Sequence, residues 1–133
     1  PLPPGDDNTN HLYGWDQVAP AVREEFQRLG GPDRAFLCAD RYQFAAQLAW
    51  NLRQPFHTFS LNTRKDQFDF WVRPEEILGK DAVLVWEDDW GLKPETLEAF
   101  ESAEEIRTIP VFRQGVKVRT FHVVRCTNLR RIP

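Results

Sequence analysis

The sequence predicts an α/β fold, a three-layer sandwich in which flanking helices cover a mostly parallel sheet of about five strands that ends in a C-terminal antiparallel hairpin. Strand, helix and strand follow one another between residues 35 and 61, an order typical of a parallel βαβ unit. A third apolar run at 82–86 extends the sheet, and two runs about Gln114-Gly115 predict the hairpin. The 133 residues, 41% hydrophobic and 28% charged, suffice for one domain with a buried core.

Composition limits the classes of function. The net charge of -3 argues against a nucleic-acid-binding protein driven by a basic field. No run approaches the roughly 18 apolar residues of a membrane span. Residues 1–11, rich in proline and short polar residues, predict an extended linker. We therefore expect another segment to precede the single domain predicted at 12–133.

The first predicted helix is amphipathic. Between residues 16 and 29, one helical face carries four apolar residues, Val18, Val22, Phe26 and Leu29. Gly30-Gly31 ends the helix, because glycine tolerates the left-handed conformation of a helix cap. Pro20 restricts the start of the helix, either to a position near Ala19 or to an early turn in which Pro20 needs no donor.

A parallel βαβ unit follows this helix. The apolar run at 35–39 fits a strand buried on both faces. The helix at 42–52 has its apolar residues at helical spacing, and a second strand follows at 56–61. We expect a right-handed crossover, as in nearly all such units.

The third strand, at 82–86, ends in an acidic run at 87–89. Three adjacent acids are typical of a solvated turn, and the alternative is a divalent-cation site like that of sugar-nucleotide transferases with an Asp-x-Asp motif. Pro94 then suits the first turn of a helix that carries Leu97 and Phe100.

The two last runs, at 106–112 and 116–125, predict the closing hairpin. Pro110 cannot donate to a strand ladder, so it belongs on an edge strand or at a bulge. Val118 is out of phase with Phe121, which also predicts a bulge.

The two cysteines are predicted to be free and buried. Cys38 and Cys126 each lie in an apolar, strand-like run, and their spacing matches no zinc site. A disulfide between the strands remains open at this point, because spacing in sequence does not show whether the geometry permits it.

The first candidate binding cluster follows the first strand directly. Ligands of such sheets bind beyond the carboxyl ends of the parallel strands, where we expect Asp40, Arg41, Tyr42 and Gln43. Asp40 is well placed as an N-cap. Two interpretations remain open, a capped helix with an Asp–Arg pair and a set of polar ligand contacts.

The second candidate cluster is the segment 62–71, in which amides, charges and aromatic residues alternate. Planar amides and carboxylates bind sugar hydroxyls, aromatic faces cover sugar C–H groups, and Arg64 with Lys65 could meet a phosphate. The alternative is a loop pinned by buried aromatic residues, with a solvated polar side. The candidate binding residues of this cluster are Asn62, Arg64, Gln67, Asp69 and Trp71.

Aromatic residues outside these clusters suggest a further role. Tyr13 and Trp15 flank a glycine, an arrangement typical of aromatic residues that pack onto the core as a staple before a helix. The alternative is a stacking platform for a sugar or lipid headgroup. A purely partner-binding module would show an exposed apolar patch around Trp15, Trp71 or Trp90. Trp90, in an acidic loop, is the best candidate for an exposed aromatic contact.

Catalytic motifs are not found in the sequence. Ser60 and Ser102 do not lie in a G-x-S-x-G turn, and glycine-rich phosphate-binding loops are absent. His11, His57 and His122 lie far apart, and the last two alternate within strands, as structural histidines do. We therefore expect no catalytic residue, no metal and no cofactor in this chain.

Three stretches together resemble one protein family. Residues 7–16 (DNTNHLYGWD), 39–49 (ADRYQFAAQLA) and 64–71 (RKDQFDFW) resemble the patterns D-P-T-N-x-L-Y-G-W, A-D-R-Y-Q-x-A-x-x-L-A and R-x-N/S-Q-Y/F-D-x-W. These patterns belong to the soluble tail of bacterial dolichyl-phosphate-mannose–protein mannosyltransferase-like proteins. The same order of strands continues to the hairpin, so the resemblance covers nearly the whole chain.

The resemblance implies an integral-membrane glycosyltransferase that moves a sugar from a polyprenyl-phosphate donor to a protein or lipid acceptor. The catalytic acid of that family lies on an extracytoplasmic loop among the membrane helices, so the aspartates of this chain inherit no catalytic role. Residues 12–133 would then be an extracytoplasmic domain, in the periplasm or at the cell exterior. Such a domain binds or orients a glycan or protein acceptor, or braces the membrane domain.

A second hypothesis is a free-standing α/β enzyme that acts on a sugar or phosphate ligand in the crevice between Asp40 and Asp69. It requires a general acid and base with shifted pKa values in a pocket. Carboxylates that cap helices or pair with arginines, with no cavity beside them, would exclude it.

Overall fold

The computed structural model describes residues 14–39, 41–53, 58–61, 74–88 and 91–132 of the chain. The helices are α1 (Trp15–Arg28), α2 (Tyr42–Leu52), α3 (Pro74–Ile77) and α4 (Pro94–Glu98). The strands are β1 (Ala35–Ala39), β2 (Thr58–Ser60), β3 (Asp81–Glu87), β4 (Phe100–Arg113) and β5 (Val116–Leu129). The linker predicted at 1–11 lies outside the described residues.

The strands form one mixed sheet in the order β2-β1-β3-β5-β4. Its four longer strands contain one parallel pair, β1 with β3, and the three-residue β2 adds a second parallel pair at one edge. β5 pairs antiparallel with both β3 and β4. The α/β class and the C-terminal hairpin are thus confirmed, whereas the sheet is mixed and not mostly parallel.

The two faces of the sheet carry separate cores. Ala35, Leu37 and Ala39 pack with α1 and α2, whereas Phe36 and Cys38 belong to the opposite core. This alternation follows from the two-residue period of a strand. Both long helices therefore lie on one face, and the second face carries only the short α3 and α4 among the described helices. The third layer predicted from the sequence is correspondingly thin.

The α1 helix begins earlier than either predicted start. It starts at Trp15, so Pro20 is its sixth residue, beyond the first turn, with its ring exposed to solvent. Gly14 precedes the helix with φ 96°, and a Cβ atom there would lie 2.5 Å from a methyl carbon of Val111. The start of α1 is therefore set by a close approach to β4 that only glycine permits.

An ion-pair cluster ties the edge strand β4 to α1. The guanidinium of Arg107 donates from Nε to Glu25 Oε2 at 2.9 Å, and Glu25 also accepts from Arg28. The hydrogen bond that Arg107 donates to Glu25 raises the pKa of Arg107 still further above its usual value. Glu25 is buried, so its two arginine partners offset the cost of removing its charge from water.

The hairpin agrees closely with the prediction. Gln114 (φ 52°) and Gly115 (φ 79°) form a two-residue turn with both residues at positive φ, the type I′ geometry that matches strand twist. The pairing shifts between Val111 and Phe112, which leaves Val118 as the extra residue of the predicted bulge. Pro110 lies on β4, the edge strand.

The predicted helix about Leu97 is shorter than expected. α4 ends at Glu98, and Phe100 opens β4, where it pairs with Leu129. Placing Phe100 on the helix was therefore wrong. Its ring stacks on Phe36 across the second core, with ring centroids 6.1 Å apart. Packing against that core thus decides the conformation at this position.

The cysteines are free and buried, as predicted. Cys38 lies on β1 and Cys126 on β5, with β3 between them. Strands lie about 4.8 Å apart, so the two Cα atoms are at least about 10 Å apart, beyond the roughly 7 Å limit of a disulfide. The disulfide left open by the sequence is therefore excluded in this fold.

Burial raises the pKa of the Cys126 thiol from 9.0 to about 12. Between these two values the unfolded chain has lost the thiol proton and the folded chain has kept it. The free energy of unfolding should then fall by about 1.4 kcal/mol per pH unit from this group alone. Denaturant unfolding of the wild type and Cys126→Ala between pH 8 and 11 measures this term. Equal pH slopes for the two proteins would contradict it.

Candidate functional site

The carboxyl ends of β1, β2 and β3 meet at one end of the sheet, which we call the rim. The backbone N–H of Leu61, just after β2, donates to the carbonyl of Ala39 at 2.7 Å, so the ends of β1 and β2 are adjacent. β3 runs parallel to β1 on its other side and ends at Glu87. The rim is therefore where the fold class expects a ligand.

Arg41 opens α2 at the rim. It is the N-cap residue, with extended backbone (φ -124°, ψ 137°), and its own side chain makes no capping hydrogen bond. The N-cap thus falls one residue later than predicted for Asp40, which lies outside the described residues. Arg41 is half-buried, and its Nε atom is among the buried ones.

The other predicted site residues are only partly covered. Tyr42 and Gln43 form the first turn of α2, so their backbone lies at the rim beside Arg41. The remaining candidates all lie outside the described residues: Asp40, Asn62, Arg64, Gln67, Asp69 and Trp71. The described residues of the first cluster, 41–43, are therefore at the predicted end of the sheet. The second cluster stays a prediction, as does the crevice between Asp40 and Asp69.

A buried ion pair that the sequence analysis missed lies beside the rim. Glu87 is 1% exposed, and its Oε2 lies 3.9 Å from Nε of Arg119, whose side chain is 2% exposed. The guanidinium of Arg119 also stacks on the ring of Phe121 at 4.3 Å. The solvated-turn interpretation is therefore wrong for Glu87. Strand alternation could have found it, because Val83, Val85 and Glu87 share one face.

Trp15 packs against this region as a staple. Its ring lies 5.0 Å from the ring of Phe44, in the first turn of α2, and 5.0 Å from the ring of Phe121 on β5. Only 3% of Trp15 is exposed, so the stacking-platform and exposed-patch interpretations are wrong for this residue. Its buried Nε1 has no hydrogen-bond acceptor within the described parts of the chain.

His122 joins three elements on the opposite face of the sheet. Its Nε2 lies 2.5 Å from Asp88 Oδ1 and its Nδ1 lies 2.9 Å from Glu105 Oε1, while its ring stacks on Trp86 at 3.9 Å. Thr108 also donates to Glu105, at 2.7 Å. Glu105 thus accepts from Thr108 through one oxygen and contacts His122 through the other, and Thr108 is paired with His122 across the two strands. The network links the residue after β3 to the edge strand, in agreement with a structural histidine.

A cation site at the acidic run finds no support in the residues described. Glu87 engages Arg119 on one face of the sheet, whereas Asp88 engages His122 on the other, and Asp89 lies outside the described residues. No group of three or more histidine, cysteine, aspartate or glutamate side chains within the described ranges could hold a metal ion.

The site therefore offers cationic and aromatic groups around one buried carboxylate. Arg119 and the aromatic rings are buried, whereas Arg41 keeps part of its surface in solvent at the start of α2. None of the described helices is long and apolar enough to cross a bilayer. No family model, curated protein or solved structure matches this chain.

Proposed function

We propose that the chain is the extracytoplasmic domain of a membrane glycosyltransferase that uses a polyprenyl-phosphate sugar as donor. The domain itself is non-catalytic, and it binds or orients the glycan or protein acceptor or braces the membrane part. One observation carries the proposal. The stretch at 39–49, the longest of the three that resemble this family, spans the junction of β1 and α2, so its polar residues open the helix at the rim.

The surroundings of Arg41 support binding over bracing alone. Arg41 is the N-cap residue of α2, whose first turn has no acidic residue, so a cationic residue stands at the positive end of the helix. Phe44, one turn on, contacts both Trp15 and Phe121, and Arg119 stacks on the latter ring. Aromatic packing therefore holds this part of the rim in one arrangement, which favours recognition of a fixed ligand shape.

The proposal places the domain in the periplasm or at the cell exterior, with the membrane domain of the same chain as its first partner. In this arrangement the reaction takes place in the membrane part, and the rim receives the acceptor. Loss of a rim side chain should accordingly weaken acceptor binding and leave donor chemistry unaffected.

Titration with soluble ligands tests this function. Tryptophan fluorescence of the chain is followed as mannose oligosaccharides or short-chain polyprenyl phosphates are added. A charged hydrogen-bond donor contributes about 1.5–3 kcal/mol, so Arg41→Ala should weaken binding about tenfold or more. Arg130→Ala, an exposed arginine after the far end of β5, is the matched control and should bind like the wild type.

Two results would count against acceptor binding. If neither class of ligand changes the fluorescence of the wild type, only the bracing role remains. If Arg41→Ala binds as tightly as Arg130→Ala, the ligand does not contact the start of α2. Thermal unfolding of both variants shows whether the fold is retained.

A further inference from the structure

The tip of the β4–β5 hairpin extends beyond the rest of the sheet at the rim. β3 pairs with β5 only from Phe121 to Cys126, and Phe121 lies opposite Glu87, the last residue of β3. The four residues of β5 before Thr120 therefore run past the end of β3. At about 3.4 Å per residue, the hairpin continues for roughly 14 Å. We call residues 112–117 the hairpin tip.

The tip combines apolar and cationic side chains on both of its faces. Phe112 and Val116 are each 51% exposed. Phe112 is paired with Lys117, and Arg113 with Val116. Directly paired residues lie on the same face of a strand ladder, so each face of the tip carries one apolar and one cationic side chain.

The charge of the chain is strongly divided along the sequence. All 20 aspartate and glutamate residues precede position 106, and only cationic and neutral residues follow it. Arg107, Arg119 and Arg125 each pair with a glutamate within the fold. The tip itself contains two cationic residues, Arg113 and Lys117, and no acid, a composition that suits an anionic surface.

We propose that the hairpin tip inserts into the headgroup region of a lipid bilayer that contains anionic lipids. Phe112 and Val116 would enter the boundary between headgroups and acyl chains, and Lys117 with Arg113 would contact lipid phosphates. A protein partner fits less well, because stable interfaces bury about 800 Å² on each side and a six-residue projecting tip offers much less in one plane.

The remaining exposed large hydrophobic residues of the described chain lie at the other end of the sheet. Trp50 is near the end of α2, Leu78 precedes β3, and Ile132 follows β5. They belong to separate elements and share no paired strands. The hairpin tip, in contrast, places its apolar and cationic side chains close together on one projecting segment. Its insertion into a bilayer would turn the rim toward the membrane surface.

Co-sedimentation with lipid vesicles tests the inference. We expect the chain to bind phosphatidylcholine vesicles that contain about one-third phosphatidylglycerol, and to bind pure phosphatidylcholine about tenfold or more weakly, because two cations contact the anionic surface. Phe112→Ser with Val116→Ser should lower binding about tenfold or more, since two apolar side chains leave the interface. Lys117→Gln should weaken the dependence of binding on salt concentration.

Trp50→Ser is the matched control, because it removes a more exposed aromatic side chain (83%) at the other end of the molecule. It should bind vesicles like the wild type. Undiminished binding by the Phe112→Ser, Val116→Ser variant, a loss with Trp50→Ser, or no binding to anionic vesicles would each overturn the inference. Circular dichroism melts verify that the variants are folded. This inference stands on the hairpin alone, so its failure leaves the acceptor titration unaffected.

Discussion

Glu87→Ala is expected to lower the free energy of unfolding by about 3–5 kcal/mol, the usual effect of breaking a buried ion pair. Glu87 is 1% exposed, and Arg119 faces it at 3.9 Å from an almost fully buried position. Alanine removes the carboxylate and leaves the guanidinium without that counter-charge in a medium of low polarity. Denaturant unfolding monitored by circular dichroism measures the change.

An exposed pair of the same sheet is the control for this result. Arg125 Nη2 lies only 2.8 Å from Glu104 Oε2, but both side chains are about half exposed or more. Glu104→Ala should therefore change the free energy of unfolding by at most about 1 kcal/mol, because water and salt screen the pair. A similar loss in both variants would mean that burial of Glu87 is not what makes its charge important.

Trp15→Ala is expected to cost about 3–5 kcal/mol of stability, as for other large aromatic residues removed from a core. The Trp15 ring joins α1 to α2 through Phe44 and to the sheet through Phe121. The cavity would open directly beside the start of α2, so binding at the rim should weaken as well. Thermal and denaturant unfolding give the stability, and the fluorescence titration gives the binding.

Trp50→Ala provides the comparison, since Trp50 is 83% exposed and its replacement should change stability by no more than about 0.5 kcal/mol. Trp15→Phe should retain most of the packing and lose only part of the stability. If Trp15→Ala is no more harmful than Trp50→Ala, the aromatic cluster does not hold the rim together.

Local patterns in the sequence predicted much of this fold. The buried run at 35–39, the turn at Gln114-Gly115 and the bulge at Val118 each follow from rules that act over a few residues. The strand order and the uneven cover of the two faces of the sheet do not follow from such local rules. They depend on contacts between distant segments, such as the pairing of β3 with β5, which no local pattern encodes.

The candidate site was predictable in part. The expectation that ligands bind beyond the carboxyl ends of parallel strands led to Arg41 at the start of α2. The acidic run was interpreted from its composition alone, and so the burial of Glu87 was not predicted. Arg119 was missed because the carboxylate partner of a single arginine in a strand can be identified only once the register of the strands is known. Trp15 could be assigned to the core from its position before a helix.

We propose that the rim, and not the opposite end of the sheet, is the ligand-binding end of this domain. Chemical-shift mapping of the ¹⁵N-labelled chain with mannose oligosaccharides and a short-chain polyprenyl phosphate tests it most directly. We expect shifts in the backbone amides of Arg41, Phe44 and Asp88. Shifts confined to the neighbourhood of Trp50, Leu78 and Ile132, or no shifts with either ligand, would contradict it.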